Sequence, residues 1–286
     1  ELALSIPLLG DIPEDRDKPQ KGEERRQIVV RENGRDSVSE AFRIIRTNMD
    51  FMRVKSENLQ VVMFTSSNPG AGKTFVSSNL AMSIAQMNKK VILVDVDIRK
   101  GTLSGLFANP NSRMGLTNYL SGKTNNVNDI IGQSEEYRKL DLIFAGPVPP
   151  NPAELLMSER FDHLIEELKK HYDYIIIDNV PAGVVADASI VNRVADLTIY
   201  VVRAGMMDRR QLPELETLYR QSKLKNMSVV LNGVSYSRKG YGYGYGYGYG
   251  YGYGYGYGYG YEKKHKRKGI MHRIRRQIRF LRNRIG

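Results

Sequence analysis

A glycine-rich stretch followed by lysine and threonine carries the clearest chemical signal in this sequence. It reads SSNPGAGKT and ends at Gly72, Lys73 and Thr74. Glycines let backbone N–H groups turn toward phosphate oxygens, and the helix after such a loop presents its positive N-terminal end. The lysine then reaches the β- and γ-phosphates, and the threonine hydroxyl binds Mg²⁺. We therefore predict a nucleoside triphosphate site formed by Pro69, Gly70, Ala71, Gly72, Lys73, Thr74 and Phe75.

The loop departs at one position from the strict pattern G-x-x-x-x-G-K-[ST], because Ser67 stands where the first glycine belongs. The flanking sequence supports the assignment nevertheless. The apolar run Val61–Phe64 precedes the loop, and the helix-like run FVSSNLAMSIAQMNKK follows it. A strand, a glycine-rich loop and a helix in this order are what a phosphate-binding loop requires. The context favours a functional loop over a chance match.

Aspartates follow two other apolar runs. Asp95 and Asp97 come after Val91–Val94, and Asp178 comes after Ile175–Ile177. Carboxylates in such places commonly cap the next turn. Three of them at the sheet edge that also carries the phosphate loop are better explained by magnesium binding and proton transfer, because Mg²⁺ takes one or two carboxylates with waters and phosphates.

Each aspartate is assigned a role on this basis. We predict a metal site formed by Thr74, Asp95 and Asp178, in which Asp178 binds Mg²⁺ directly or through water and Asp95 lies nearby. Asp97 is the candidate acceptor for the proton of an attacking hydroxyl. Arg99 is either an electrostatic stabiliser or a surface partner, and the sequence leaves both open. The predicted catalytic residues are Lys73, Asp95, Asp97 and Asp178.

Short apolar runs alternate with helical patterns from residue 59 onward. Continuous β-branched strands with intervening helices predict a mostly parallel sheet covered by helices on both faces, which is an α/β fold. Such sheets bind ligands beyond the carboxyl ends of their strands. The predicted strands are Val61–Phe64, Val91–Val94, Leu142–Ala145, Tyr174–Ile177, Leu197–Val202 and Ser228–Leu231, and the predicted helices are Ser37–Val54, Thr74–Asn88, Ala153–His171, Asp187–Val194 and Leu212–Lys223.

The first predicted helix carries charges at regular spacing. Glu40, Arg43 and Arg46 fall three residues apart and therefore share one side. This side is either a solvated face with an internal Glu–Arg pair, or a self-association surface where arginines meet the carboxylates of a neighbouring copy. Spacing alone favours the solvated face.

The excess of positive charge is concentrated at the C-terminus. The formal net charge is +12, yet residues 262–286 hold 11 Lys/Arg against Glu262 alone, and the remainder holds 32 basic and 30 acidic groups. A nucleic-acid-binding domain spreads its Lys and Arg over a folded face, so we expect no nucleic-acid partner. The chain has no cysteine, which excludes disulfides and suits a reducing cytoplasm.

Length and terminal sequence set further limits. The 286 residues suit one large domain with appendages. No continuous apolar run is long enough for a transmembrane helix. The chain starts at Glu1 without methionine or a signal-peptide pattern, which predicts a fragment of a longer protein.

Tyrosine and glycine alternate strictly in residues 240–261. Glycine at every second position leaves one face of a strand without side chains, so a flexible low-complexity segment is predicted. Its root-mean-square span is about 25 Å. Tyrosines on it could therefore reach a nearby site, most easily that of a neighbouring copy. They are Tyr241, Tyr243, Tyr245, Tyr247, Tyr249, Tyr251, Tyr253, Tyr255, Tyr257, Tyr259 and Tyr261.

Apolar residues recur at helical spacing between the arginines of the last segment. They are Ile270, Ile274, Ile278, Leu281 and Ile285. This pattern predicts a basic amphipathic helix at an anionic membrane surface. Nucleic-acid contact is the alternative use of the same charge.

Together these residues resemble the bacterial tyrosine kinase family, specifically the cytoplasmic domain of membrane polysaccharide co-polymerases. The resemblance spans almost the whole chain. It rests on the helix EAFRIIR, the loop SSNPGAGKT, the strand ends VDVDIR and IIID, and the terminal tyrosine cluster. The opening IPLLGDIP is similar to the juxtamembrane segment of that family.

The resemblance implies a P-loop NTPase (MinD-like) fold and an ATP:protein-tyrosine phosphotransferase that uses ATP and Mg²⁺. It implies a homo-oligomeric ring, an octamer, in which the tyrosine tail of one subunit enters the site of the next. The tail tyrosines are then the phosphoacceptors, and Glu40, Arg43 and Arg46 mediate assembly. Control of capsular or exopolysaccharide polymerisation and export, and a cognate tyrosine phosphatase, are implied as well.

The resemblance also implies a location and an organisation. Transmembrane helices and an extracytoplasmic domain are expected before Glu1, which places the chain at the cytoplasmic face of the bacterial inner membrane. We expect a juxtamembrane segment and linker at 1–26, the kinase domain at 27–239, the Tyr-Gly cluster at 240–261 and the basic tail at 262–286.

Two features depart from the family pattern. The family commonly has D-T-P-P after its last catalytic strand, where this chain has Asp178-Asn179-Val180-Pro181, and the tyrosine cluster is an unusually pure repeat.

A rival function is that of a cell-division or partitioning ATPase, which switches membrane or DNA binding. Those proteins carry a signature lysine at the position of Asn68. A third possibility is a nucleotide-dependent structural switch without catalysis, with an adhesive tail.

Overall fold

A twisted β-sheet lies at the centre of the structure, a computed structural model that describes residues 5–14, 28–55, 59–107, 114–134, 137–181 and 187–236. The strands found there are β1 (Leu8–Pro13), β2 (Val61–Ser66), β3 (Val91–Asp95), β4 (Ile131–Gln133), β5 (Leu140–Ile143), β6 (Tyr174–Asp178), β7 (Leu197–Arg203) and β8 (Ser228–Val234). Their order is β1-β8-β7-β2-β6-β3-β5-β4. Each neighbouring pair is parallel except β4 and β5, so the predicted sheet is confirmed.

Helices cover both faces of the sheet, as predicted. One apolar cluster joins the sheet to residues such as Phe42 and Leu80, and the other joins it to Phe161, Leu164 and Leu215. Among the described residues, no helix combines the length and apolarity needed to cross a membrane. The helices are α1 (Ser37–Lys55), α2 (Lys73–Ala85), α3 (Leu116–Leu120), α4 (Pro152–Met157), α5 (Glu159–Lys169), α6 (Asp187–Val191) and α7 (Leu212–Arg220).

The register of the central strands determines where the aspartates lie. All six residues of β2 are buried, which explains why its first four residues, Val61–Phe64, are all apolar. β6 pairs with β2 on one side and with β3 on the other, and Asp178 is the register partner of both Phe64 and Asp95. Two acidic strand ends therefore lie side by side, next to the strand that leads into the phosphate loop.

The prediction of a single helix over Ala153–His171 was wrong, because Ser158 divides this stretch into α4 and α5. Ser158 has an extended backbone (φ −68°, ψ 151°), and its hydroxyl donates to the Leu155 carbonyl at 2.7 Å. A serine that bonds its neighbouring backbone competes with the helix in this way.

Helix ends differ from the predictions where the backbone turns left-handed. The helices predicted to reach Asn88 and Lys223 end instead at Ala85 and Arg220. Asn88 (φ 58°) and Ser222 (φ 50°) adopt the left-handed conformation, which a right-handed helix cannot include. Two short elements, α3 and β4, were not predicted, because three to five residues are too few to display a periodic pattern.

The initial segment of the described chain is integrated into the sheet. β1 pairs in parallel with β8, and the Asn48 amide of α1 donates to the Leu9 carbonyl at 2.8 Å. Residues 15–26 of the expected linker, the Tyr-Gly cluster and the basic tail lie outside the described residues.

Asn79 anchors the backbone of residues 28–30 to α2. Its Oδ1 accepts the N–H groups of Val29 (2.8 Å) and Val30 (3.2 Å), and its Nδ2 donates to the Phe75 carbonyl at 2.8 Å. Because Asn79 is completely buried, water cannot replace these partners without a rearrangement.

Asn79→Ala should therefore lower the free energy of unfolding by about 1–3 kcal/mol, since two backbone donors lose their acceptor. Urea denaturation of the purified chain measures the change. The exposed Asn128→Ala variant is the control and should change stability by less than about 0.5 kcal/mol. Equal effects of the two substitutions would contradict the anchoring role.

Candidate active site

The phosphate loop connects β2 to α2 through two left-handed glycines. Gly70 has φ 82° and Gly72 has φ 92°, so both positions suit glycine. Helix α2 starts at Lys73, and its first turn contains neither an acidic residue nor a side-chain cap. The first N–H groups of a helix have no intrahelical acceptor. This uncapped helix end is therefore suited to bind an anion such as a phosphate group.

Thr74 and Asp178 meet at the base of the loop. The Thr74 hydroxyl donates to Asp178 Oδ2 at 2.6 Å. Asp178 is 1% exposed, and its Oδ1 is buried without a hydrogen-bond partner among the described residues. A hydroxyl beside a carboxylate oxygen that lacks a partner fits the oxygen ligands that Mg²⁺ prefers.

The Thr74 hydroxyl and the Asp178 carboxylate are the two side-chain groups that would hold Mg²⁺. The part of the chain that the structure describes holds no group of three or more Asp, Glu, His or Cys side chains arranged to ligate a metal. Phosphate oxygens and water would supply the remaining ligands. When bound there, the ion would neutralise negative charge on the phosphates.

Asp95 lies beside Asp178 but uses its oxygens differently. Its Oδ1 accepts the Asp97 N–H at 3.1 Å, and its Oδ2 accepts the Leu103 N–H at 2.9 Å. It therefore fixes the backbone turn that carries Asp97. The Asp97 Oδ1 in turn accepts the Lys100 N–H at 3.1 Å, and Asp97 is 8% exposed. The structure thus brings the three predicted aspartates and the loop together, while their chemical roles stay predictions.

Burial governs the charge states at the site. It raises the pKa of Asp95 to about 8, and the neighbouring Asp178 contributes in the same direction. Burial also raises the pKa of Asp178, to about 6, although the Thr74 hydroxyl and the Lys73 ammonium oppose the shift. The pKa of Lys73 is lowered by burial, against the attraction of Asp178 and Asp97. Below about pH 8, a cation that binds here therefore competes with protons for these carboxylates.

The structure places the predicted assembly residues in contacts within the chain. Glu40 and Arg43 form an ion pair along α1, and Arg43 also donates to the Gly34 carbonyl. Arg46 donates to the carbonyl and hydroxyl of Ser83 on α2, at 2.6 and 3.2 Å. The internal Glu–Arg pair considered from spacing is present, and the assembly role stays a prediction.

Two residues near the loop were not among the predicted site residues. Asn232 donates from Nδ2 to the Ala71 carbonyl at 2.9 Å, and Tyr200 shares a 2.9 Å hydrogen bond with the Ser67 hydroxyl. From the sequence, the pair Asn232-Gly233 predicts a plain turn at the end of a strand, with a contact to a nucleotide base as the alternative. A signal for Asn232 existed in its position at a strand end, but its loop contact depends on the order of strands in the sheet.

Comparison with known proteins agrees with this geometry. Residues 59–224 match the family model described as AAA domain. The septum site-determining protein MinD from Pyrococcus horikoshii, solved with Mg-ADP, superposes with a TM-score of 0.50 at 22% identity over 61% of this chain and 70% of that one. This likeness concerns the fold alone. The fold and the loop define a P-loop nucleotide-binding α/β domain.

More similar proteins identify the family. The kinase domain of the Escherichia coli tyrosine kinase Etk has a TM-score of 0.71 at 35% identity, over 85% of this chain and 95% of that domain. The tyrosine-protein kinase YwqD of Bacillus subtilis is 36% identical over 75% of this chain and 89% of its own length. The chain belongs to the bacterial tyrosine-protein kinase family.

The predicted family and enzyme class, tyrosine kinase, agree with these relatives. The relatives differ in length, however. The chain is 39% identical to full-length Escherichia coli Etk over 71% of its own residues, but spans only 27% of that protein.

In the metal-free protein, Asp95→Asn should weaken the dependence of stability on pH. The pKa values of Asp95 and Asp178, about 8 and about 6, lie above the ordinary value of 3.8, so these two carboxyls bind more protons in the folded chain than in the unfolded chain in this window. Their contribution to the free energy of unfolding therefore falls as pH rises from about 4 to about 8. Removing the Asp95 carboxyl should reduce this slope by up to about 1.4 kcal/mol per pH unit.

Urea denaturation at several pH values with a chelator present measures these slopes. Glu166→Gln, which removes an exposed carboxylate from an ion pair on α5, is the control and should retain the wild-type slope. Identical slopes for Asp95→Asn and wild type would contradict the assignment.

Proposed function

We propose that this chain is an ATP-dependent protein-tyrosine autokinase that phosphorylates the tyrosines at residues 241–261 of neighbouring copies. One juxtaposition carries the proposal. An uncapped loop helix and the buried carboxylates of Asp95, Asp97 and Asp178 meet at one sheet edge, in a chain whose relatives are tyrosine-protein kinases. The loop suits a triphosphate, and the carboxylates suit the metal ion and the acceptor proton.

In the proposed reaction, a tyrosine phenol attacks the γ-phosphorus of ATP. A bond forms between the phenolic oxygen and phosphorus, and the bond from phosphorus to the β–γ bridging oxygen breaks to release ADP. Lys73 and the loop amides hold the triphosphate, while Thr74 and Asp178 are the chain's ligands for Mg²⁺. Asp97 accepts the phenol proton.

Positioning contributes more than base strength in such a reaction, because the transition state of phosphoryl transfer is loose. The hydrogen bonds of Asp95 to the N–H groups of Asp97 and Leu103 supply this positioning. On this proposal, Asp95 acts by fixing the Asp97 turn and by adding negative charge near the metal ion.

The phosphoacceptors are proposed to be the tail tyrosines of a neighbouring subunit in a ring, with Glu40, Arg43 and Arg46 at the subunit contact. The span predicted from the sequence of the Tyr-Gly segment, about 25 Å, suits delivery to an adjacent site. A cognate phosphatase would reverse the modification. Attachment to the inner membrane and control of capsular or exopolysaccharide polymerisation and export complete the proposal.

Hydrolysis of ATP by water is the main rival reaction. The MinD structure shares the fold at 22% identity. Asn68 occupies the position of the signature lysine of the cell-division ATPases, and eleven tail tyrosines supply an acceptor other than water. Both features favour phosphoryl transfer to a phenol.

Lys73→Met should lower autophosphorylation at least about 100-fold, because an electrostatic contact to the transferred phosphate is lost. Asp97→Asn should lower the rate about 100-fold through loss of the proton acceptor, yet leave ATP affinity within about twofold of wild type. Mass spectrometry of the tail after incubation with Mg-ATP measures phosphorylation, and calorimetry measures ATP binding. Normal turnover of the Asp97 variant would refute its role, and ATP hydrolysis without phosphotyrosine would favour the rival ATPase.

Glu40→Ala combined with Arg43→Ala should give monomers that no longer phosphorylate one another. The pair is partly exposed, with side-chain exposures of 58% and 30%, so its loss should cost less than about 1 kcal/mol of folding stability. The matched control removes Glu166 and Lys169, another i,i+3 ion pair, on α5. Light scattering that shows an intact ring in the first variant, or loss of the ring in the control, would contradict the assignment.

A further inference from the structure

The amide of Asn232 connects the end of β8 to the phosphate loop. Asn232 is 2% exposed, and its Nδ2 donates to the Ala71 carbonyl at 2.9 Å. Its backbone is held as well, because it lies in register with Arg203 of β7 and its carbonyl accepts the Ala204 N–H at 2.9 Å. The amide is therefore presented to the loop from a rigid strand.

Packing between Asn232 and the loop leaves no space for a side chain at Gly72. A Cβ built on Gly72 would overlap the Asn232 Nδ2 and lie 3.4 Å from its Cγ. The Gly72 backbone is also left-handed, with φ 92°. The two residues thus form one close contact in which glycine is required both for conformation and for space.

The hydrogen bond determines how one loop peptide is oriented. The peptide between Ala71 and Gly72 is planar, and in a trans peptide the C=O and N–H groups point in opposite directions. Because the Ala71 carbonyl is held toward Asn232, the Gly72 N–H is directed away from it. That N–H belongs to the loop amides that the proposed function assigns to the triphosphate.

We propose that Asn232 is a positioning residue for the phosphate loop, which affects the binding of the triphosphate and does not read the nucleotide base. The inference rests on the proposed nucleotide site. It differs from the base contact considered for Asn232, because the amide donor is directed to the Ala71 carbonyl. Loss of the amide should weaken every triphosphate equally, whether or not a base is attached.

Calorimetric titration of the full chain with Mg-ATP, Mg-GTP and Mg-tripolyphosphate tests the inference. Asn232→Ala should raise all three Kd values by a common factor of about 5–10, as expected for the loss of one hydrogen bond. Asn232→Asp keeps the shape but places a carboxylate against the Ala71 carbonyl, and should raise them further. Asn118→Ala, which removes another buried amide, one whose Oδ1 accepts the Gly115 N–H at 2.9 Å, should leave all three within about twofold.

A double-mutant cycle that combines Asn232→Ala with Gly72→Ala measures the coupling between the two residues in tripolyphosphate binding. General destabilisation of the fold would not produce such coupling. The Asn232 amide group is the only part of the described structure within 4 Å of a Cβ at position 72 outside the adjacent residues, so Asn232→Ala removes the overlap. The double variant should bind tripolyphosphate at least as tightly as Gly72→Ala alone. Independent sites would instead show additive losses.

The outcomes separate this inference from the proposed function. Weakening confined to ATP, unchanged tripolyphosphate binding, or additive losses in the cycle would overturn the role of Asn232. If Asn232→Ala does not fold, as judged by thermal unfolding, the Asp variant carries the same test. A wild-type chain that binds all three ligands but forms no phosphotyrosine would overturn the kinase proposal and leave the positioning role intact.

Discussion

The parallel pairing of β6 with both β2 and β3 is the constraint on which the site depends. It brings the strand that enters the phosphate loop and two strands that end in aspartate to the same edge. The short hydrogen bond from Thr74 to Asp178 is possible only because this register aligns a helix start with a strand end. A shift of one residue in β6 would turn Asp178 to the opposite face of the sheet.

The same arrangement buries charge, which is costly unless a partner is supplied. Asp95 is stabilised by two backbone N–H groups, whereas Asp178 has one hydroxyl partner and one oxygen without a partner among the described residues. The two carboxyls therefore differ in what they can accept. Both oxygens of Asp95 accept hydrogen bonds from the backbone of its own turn, whereas Asp178 Oδ1 can still bind a ligand from outside the chain. A cation that arrives with a phosphate would satisfy the oxygen that the protein leaves unsatisfied.

Much of this site was predictable from sequence because its signals are local. The apolar runs that end in Asp95 and Asp178 predict buried strands, and the glycines before Lys73 predict the loop that follows β2. The break at Ser158, the antiparallel β4 and the left-handed Asn88 were not predictable in this way. The first and last depend on single backbone torsions, and β4 depends on pairing with a strand distant in the chain.

The contact between Asn232 and the phosphate loop was not predictable from the sequence. The type of Asn232 and its place before a glycine were visible, but the residue it contacts lies 161 positions earlier. Only the placement of β8 beyond β7, on the other side of β2 from the aspartates, makes that contact possible. The loop is thus supported from both sides of its strand, by Asp178 through Thr74 and by Asn232 through Ala71.

Helix α2 has different attachments at its two ends. Lys73 and Thr74 begin it at the phosphate loop, and Ser83 near its last turn accepts two hydrogen bonds from Arg46 of α1. A helix of 13 residues is a rod about 20 Å long. Both of these hydrogen bonds are donated by Nη1 of the Arg46 guanidinium. Through Arg46, helix α1 is therefore hydrogen-bonded to the far end of the helix whose first residues, Lys73 and Thr74, belong to the phosphate loop.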